Sequence, residues 1–274
     1  MNTLKVILLI STLSGLLVIA GYLLGRGTGM VIALLLSALM NLGSYWFSDS
    51  IVLKMYNARP VTQAEAPALY NAVEALAGKA EIPVPKLYII PSDTPNAFAT
   101  GRNEDHAAVA VTSGLLSLMS EAEIRGVLAH ELSHIKHKDI LISTMAATIA
   151  GAVVLLSRWS VFFSGDEGGV VSAVAVAIIA PVAATLVQMA ISRSREYEAD
   201  AGSAGITGNP EALADALRKL SGLAKIKPLG ANPATAHMFI VNPLSGSTIM
   251  SLFSTHPPVE KRIEKLMAMK SGLT

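Results

Sequence analysis

The chain has 274 residues, of which 52% are hydrophobic and only 15% charged, with a mean hydropathy of +0.51. About a quarter of the residues of an ordinary soluble domain are charged, so this chain is too apolar for one. A net charge of +1 gives no footprint for nucleic acid, and the absence of cysteine excludes disulfides and thiol catalysis.

The apolar residues are clustered. Leu4 to Leu24 is a first run, broken by little except Lys5, and Met30 to Phe47 is a second. Both approach the ~20 residues that cross a bilayer as a helix. The first is too long for a signal-peptide core, and the second follows within a few residues. The pair is therefore read as an uncleaved hairpin turning at Gly25-Arg26-Gly27-Thr28-Gly29.

A polar segment follows. Thr62 with Glu65 forms a capping box, and Ala68, Leu69, Val73, Leu76 and Ala77 follow at helical spacing until Pro83 and Pro85. Lys86 to Ile90 reads as a strand by its β-branched and aromatic content. Ala97 to Thr100 and Ala107 to Thr112 read as two more, joined by a polar link over Gly101 to Asp105 that suits a hairpin. Ser120 with Glu123 is a second capping box, opening a helix that carries Ile124, Val127, Leu128, Leu132 and Ile135 on its apolar period.

That helix carries His130-Glu131-Leu132-Ser133-His134. Histidines four residues apart share a helix face and can reach one Zn²⁺, while Glu131, one position along, is free to act as a base on water. This is the pattern of zinc hydrolases. His137 could share the face of His134, but it stands between Lys136 and Lys138 near a helix end, which favours a solvated or interfacial histidine.

Two further apolar runs come next, Leu141 to Leu156, extendable through Trp159 to Phe163, and Val170 to Ile191. The third is the shortest of the four, and a buried helix is the alternative for it. Lys5, Lys54, Arg59, Lys136, Lys138, Arg193 and Arg195 flank one side of the four runs, against Arg26 and Arg158 on the other. Positive charge collects on the cytoplasmic side, so both termini and both polar segments are expected there.

In Glu196-Tyr197-Glu198-Ala199-Asp200, Glu196 and Asp200 share a helix face and Glu198 points away. One carboxylate can bind zinc while the other holds a ligand histidine by its second ring nitrogen. Two crossings return the chain to the side it left, so His134 and Glu196 are delivered to one membrane face. Asn209 and Pro210 open a helix to about Ser221, Pro228 to Ser247 reads as a long loop, and His256-Pro257-Pro258 opens a last helix through Ile263 and Leu266.

The combination of His130-Glu131-Leu132-Ser133-His134, Ser194 to Asp200, Asn96-Ala97-Phe98-Ala99 and Thr255-His256-Pro257 resembles the HtpX family of bacterial membrane zinc peptidases, relatives of the eukaryotic prenyl-protein (CAAX) proteases. The resemblance runs over essentially the whole chain. It implies a mainly α integral membrane protein with a small α+β zincin-like (gluzincin) catalytic domain carrying a short β-sheet. The units would be an N-terminal transmembrane hairpin over 1–47, catalytic parts over 48–140 and 192–274, and a second transmembrane hairpin over 141–191. It implies one Zn²⁺ per chain held by His130, His134 and Glu196, Glu131 as catalytic base, and Asp200 as the carboxylate behind a ligand. Asn96, Ala97, Phe98 and Ala99 would form an edge strand that pairs with substrate. His256 would sit near the active site as an oxyanion-binding or zinc-gating group.

The activity implied is a stress-linked endopeptidase of the bacterial cytoplasmic membrane, its site facing the cytoplasm, acting on misfolded membrane proteins. Its expected partners are polypeptide substrates and the lipid bilayer, without nucleic acid, and homo-oligomerisation is left open. Two alternatives stand beside it. A prenyl-protein-type processing peptidase shares the site but needs a lipid-accommodating chamber, for which four spans are few. A non-proteolytic membrane scaffold with structural zinc would close its site with four protein ligands, often cysteines, and this chain has none.

Overall fold

The structure is a computed structural model and describes residues 2–141, 193–226, 239–240 and 257–272. The third and fourth apolar runs beyond Leu141, the expected loop at 228–247 apart from Phe239 and Ile240, and His256 lie outside the described residues. The described residues are mostly helical with one small mixed sheet.

Helix α1 (Asn2–Met55) runs for 54 residues. Within it Arg26 has a φ of 52°, in the left-handed region, so the right-handed path is interrupted inside the Gly25 to Gly29 stretch where the sequence predicts a turn. Side chains are described for only part of α1. Among the described residues no helix is long and apolar enough to cross a membrane.

Strand β1 (Arg59–Pro60), which the sequence reading did not include, pairs antiparallel with β2 (Lys86–Ile90). Two residues carry no alternation to read. Helix α2 (Pro67–Ala80) begins later than the Thr62 capping box predicts. Glu65 does accept the Thr62 backbone N–H at 2.7 Å, but this closes only a turn. The ring of Pro67 bars Ala66 from helical geometry (φ −139°, ψ 64°), and Pro67 itself takes the first helical position.

Strands β3 (Ala97–Gly101) and β4 (Ala107–Thr112) form the expected hairpin, with Phe98 opposite Ala110. The sheet order is β1-β2-β4-β3, with β2 and β4 parallel, so β3 is an edge. Side chains alternate between faces. Leu87, Ala97, Ala99, Val109 and Val111 face the main core, whereas Ile90, Phe98, Ala108 and Ala110 face Val52 and Leu53 at the end of α1. The sheet is thus covered on both sides, which explains why β3 and β4 are buried at every position.

Helix α3 (Ser113–Leu118) leads to α4 (Glu121–Lys136), whose capping box is formed as predicted. Val127, Leu128, Leu132 and Ile135 of α4 are fully buried against Leu76 of α2 and against Leu213 and Leu217 of α6 (Pro210–Ile226). Each such side chain contributes roughly 1.5–3 kcal/mol by leaving water. Helix α6 continues past the expected end near Ser221 to Ile226. One Gly at 222 costs only about 1 kcal/mol, too little to end the helix there.

Helix α5 (Arg193–Thr207) crosses α4 closely. A Cβ on Gly202 would collide with the Ser133 side chain, and Ser203 Oγ donates to the Gly126 carbonyl at 2.7 Å. This tight crossing brings the start of α5 beside the histidines of α4. Helix α7 (Val259–Lys270) closes the described chain and packs Leu266 into the same core.

Candidate metal centre

On α4, His130 and His134 project from one face, as i and i+4 positions must. Their Nε2 atoms are 3.2 Å apart. Glu196, from the first turn of described α5, places Oε2 3.7 Å from His130 Nε2 and Oε1 3.6 Å from His134 Nε2. Together the three residues can hold a metal ion. The distances themselves test the fit. Two nitrogens each about 2.0–2.1 Å from a tetrahedral zinc sit about 3.3 Å apart. Two imidazole lone pairs turned toward each other repel unless a proton or cation lies between them. This nitrogen and carboxylate donor set fits zinc.

Each histidine is backed by a carboxylate. His130 Nδ1 lies 3.1 Å from Asp200 Oδ1, and His134 Nδ1 lies 3.4 Å from Asp139 Oδ2. Asp200 sits one turn after Glu196, as their shared helix face requires, while Glu198 is exposed. Asp200 also accepts two hydrogen bonds from Arg262 of α7, from Nε at 2.9 Å and from Nη2 at 2.7 Å. Arg262 is fully buried, its Nη1 donates to the Ile240 carbonyl at 2.9 Å, and it approaches Glu196 Oε2 at 3.5 Å. Burial alone would raise the Asp200 pKa, but Arg262 and His130 outweigh it and hold the carboxyl well below the usual range.

The sequence reading missed Arg262 and Asp139. Arg262 did leave a signal. Val259, Ile263 and Leu266 make the apolar stripe of α7, and Arg262 falls inside that stripe, where a charge implies a buried partner. Asp139 left none, because it stands among charged residues at the end of α4.

Glu131 is also buried, and its Oε2 accepts the Ala99 backbone N–H at 2.8 Å. Burial pushes its carboxyl above the ordinary range. The two histidines and the Ala99 N–H oppose this, and Glu196 adds to it. The bond also orients β3. Asn96 accepts the Thr112 N–H through its backbone carbonyl, so the main chains of Asn96 and Phe98 face β4, while those of Ala97 and Ala99 face away from it, toward Glu131. The side chain of Asn96 is buried and accepts the Ile240 N–H at 3.2 Å, and that of Phe98 packs on Tyr56. His256, the last of the expected site residues, is outside the described residues.

In the metal-free protein burial disfavours the charged form of His134, but Asp139, Glu196 and Glu131 outweigh it and raise its pKa to about 9. A raised histidine pKa adds stability that is fully present below the unfolded value near 6.5 and is lost as pH rises through about 9. Zinc needs the neutral ring, so binding at pH 7 should release about one proton from His134. Calorimetric titration with zinc in two buffers of different ionisation enthalpy measures this. Zinc affinity should rise between pH 7 and 9, and a pH-independent affinity would contradict the assignment.

The description of peptidase family M48 matches residues 63–270. The Protease HtpX homolog of Desulforapulum autotrophicum is 56% identical over 275 residues, covering 97% of this chain and 89% of the relative. That of Pyrococcus furiosus is 54% identical over 277 residues, covering 97% and 96%. The crystal structure of S. mikatae Ste24p shares the fold, with a TM-score of 0.53 at 17% identity, over 97% of this chain and 64% of that one. This chain therefore spans less than two thirds of the Ste24p chain. The family match contains His130, Glu131, His134 and Glu196, and the identity extends along nearly the whole length: the chain belongs to peptidase family M48 and is a metallopeptidase with zinc as its cofactor.

Proposed function

We propose that this chain is a membrane-bound endopeptidase of the bacterial cytoplasmic membrane, with a cytoplasm-facing site that hydrolyses misfolded or damaged membrane proteins. The observation that carries the reading is the contact of Glu131 with Ala99: it sets the base of a His130-His134-Glu196 metal group against β3, the last strand of the described sheet.

Zinc held by His130, His134 and Glu196 would polarise the scissile carbonyl and make the attacking water more acidic. Glu131 takes the proton of that water and returns it to the leaving amine. The Ala99 N–H is taken by Glu131, so an extended substrate segment pairs with the backbone of Ala97 and the carbonyl of Ala99, and recognition through main-chain bonds suits varied sequences. Asn96 acts from behind this strand through its hold on Ile240, and Phe98 by anchoring the strand to Tyr56. Asp200 fixes the His130 ring, and His256 is the proposed donor to the oxyanion.

Several features support the membrane location. Leu34, Leu35, Leu39, Leu42, Trp46 and Phe47 of α1 are each more than half exposed, a long apolar surface that water would disfavour and acyl chains would cover. Tyr45, Trp46 and Phe47 end this run, just before Lys54 and Arg59, as an interfacial aromatic group followed by cytoplasmic charge would. Arg102, in the turn after β3, lies over the Trp46 ring at 4.7 Å and ties the edge strand to that level.

The test is proteolysis of a model membrane protein by detergent-purified chain. Cleavage should stop with a chelator and return with added Zn²⁺. Cysteines placed at Gly27 and Ala58 of the otherwise cysteine-free chain should label from outside and inside the cell respectively. Cleavage indifferent to chelator, or labelling of both from one side, would reject the chemistry or the topology separately.

A further inference from the structure

We infer that Asp139 and Arg195 form a second positioning pair for the metal site: Asp139 orients the His134 ring, and Arg195 holds Asp139. The inference rests on the zinc-site reading above and extends it to residues outside the expected site.

Asp139 is buried, with Oδ2 3.4 Å from His134 Nδ1, and its Oδ1 accepts a hydrogen bond from Arg195 Nη1 at 3.2 Å. Arg195 is itself 93% buried, so the pair is shielded from solvent. The arrangement repeats the other half of the site, where Arg262 holds Asp200 and Asp200 faces His130. A carboxylate on Nδ1 fixes the tautomer that leaves the Nε2 lone pair free for a metal and stops the ring from turning.

The end of α4 is shaped to make this contact. The Asp139 N–H donates to the His134 carbonyl at 3.0 Å and the Lys138 N–H to the Ile135 carbonyl at 3.0 Å, a helix stop in which the chain folds back on its last turn. That stop needs a left-handed residue, and Lys138 supplies it at a φ of 61°. A lysine there costs roughly 1–2 kcal/mol that a glycine would avoid. The reversal carries the Asp139 side chain back to the ring of His134, whose own carbonyl its backbone holds.

The pair also has a place in the chain. Asp139 stands just before the segment 142–192 and Arg195 just after it, and Arg195 directly precedes Glu196. One ion pair therefore fastens both flanks of the inserted apolar segment to the ring of one ligand and to the backbone next to another.

The test uses the full-length, detergent-purified protein and reads metal binding rather than turnover. Zinc affinity is measured by competition with a chromophoric chelator, and ligand geometry by the visible absorption spectrum of the Co²⁺-loaded form. Asp139→Asn should weaken zinc binding by about 10–100-fold and alter the Co²⁺ spectrum. Arg195→Met should shift both in the same direction by less. If Arg195 acts through Asp139, the double variant should bind zinc no more weakly than Asp139→Asn alone.

Wild-type affinity and spectrum in Asp139→Asn would overturn the proposal, as would losses that multiply in the double variant. Should Asp139→Asn fail to fold, Asp139→Glu decides: weaker zinc binding with a normal melting temperature of the metal-free protein supports positioning by this geometry, and wild-type affinity overturns it. An Asp139→Glu protein that melts early yet binds zinc normally once folded would overturn it. Failure of the wild-type protein itself to bind zinc would reject the underlying metal-site reading instead.

Discussion

Glu131→Gln should lower kcat by about 10²–10⁴, the usual contribution of a general acid–base group, while zinc content and melting temperature stay at wild-type values. The substitution is nearly isosteric, and the amide oxygen of glutamine can still accept the Ala99 N–H that Glu131 Oε2 accepts at 2.8 Å. What it cannot do is take a proton. Glu131 is buried beside Glu196, both of which raise its pKa and strengthen it as a base toward the working pH. Zinc analysis, thermal melting and cleavage on one preparation make the comparison. Cleavage near the wild-type rate would remove Glu131 from the chemistry, and zinc loss alongside activity would make it a metal-holding residue instead.

Arg262→Met should destabilise the metal-free protein by about 3–5 kcal/mol, the usual cost of removing one partner from a buried ion pair. Methionine fills comparable space, so the effect reports charge and hydrogen bonding more than a cavity. Arg262 is fully buried, and its loss strands the Asp200 carboxylate and the Ile240 carbonyl together. Asp200 has a lowered pKa, so its contribution is present above the unfolded value of about 3.9 and is lost only as pH falls through the lower folded value. In the variant that protection is removed, and zinc affinity should fall as well because Asp200 no longer holds His130 as an anion. Denaturant titration and chelator competition measure the two effects. A loss below about 1 kcal/mol would mean that water replaces the guanidinium, which a surface pair would permit and a buried one would not.

The local elements were legible wherever one segment carried its own signal. Lys86 to Ile90 and Ala107 to Thr112 are strands over the predicted residues, because β-branched side chains on a pleated surface identify themselves without neighbours. The Ser120 capping box marks the start of α4 because both of its bonds lie within four residues. Thr62 carried the same signature and did not start its helix, because Pro67 imposed a backbone geometry that side-chain bonds could not overcome. The parallel pairing of β2 with β4 was not legible, since register between strands depends on partners distant in sequence.

By itself the sequence determined the chemistry at issue: two histidines on one helix face with a glutamate one position along, a carboxylate pair four residues apart on another helix, and no cysteine to offer a different route. Those follow from helical periodicity and side-chain type, which need no third dimension. Only the tertiary structure decided which carboxylates stand behind which histidine and what holds them. The close crossing at Gly202 places Glu196 at the histidines, the folded-back end of α4 delivers Asp139, and the packing of α7 brings Arg262 to Asp200. Residues as far apart in sequence as Asn96, Asp139, Asp200 and Arg262 meet because burying one core fixes all these helices against one sheet, and no local pattern records that outcome.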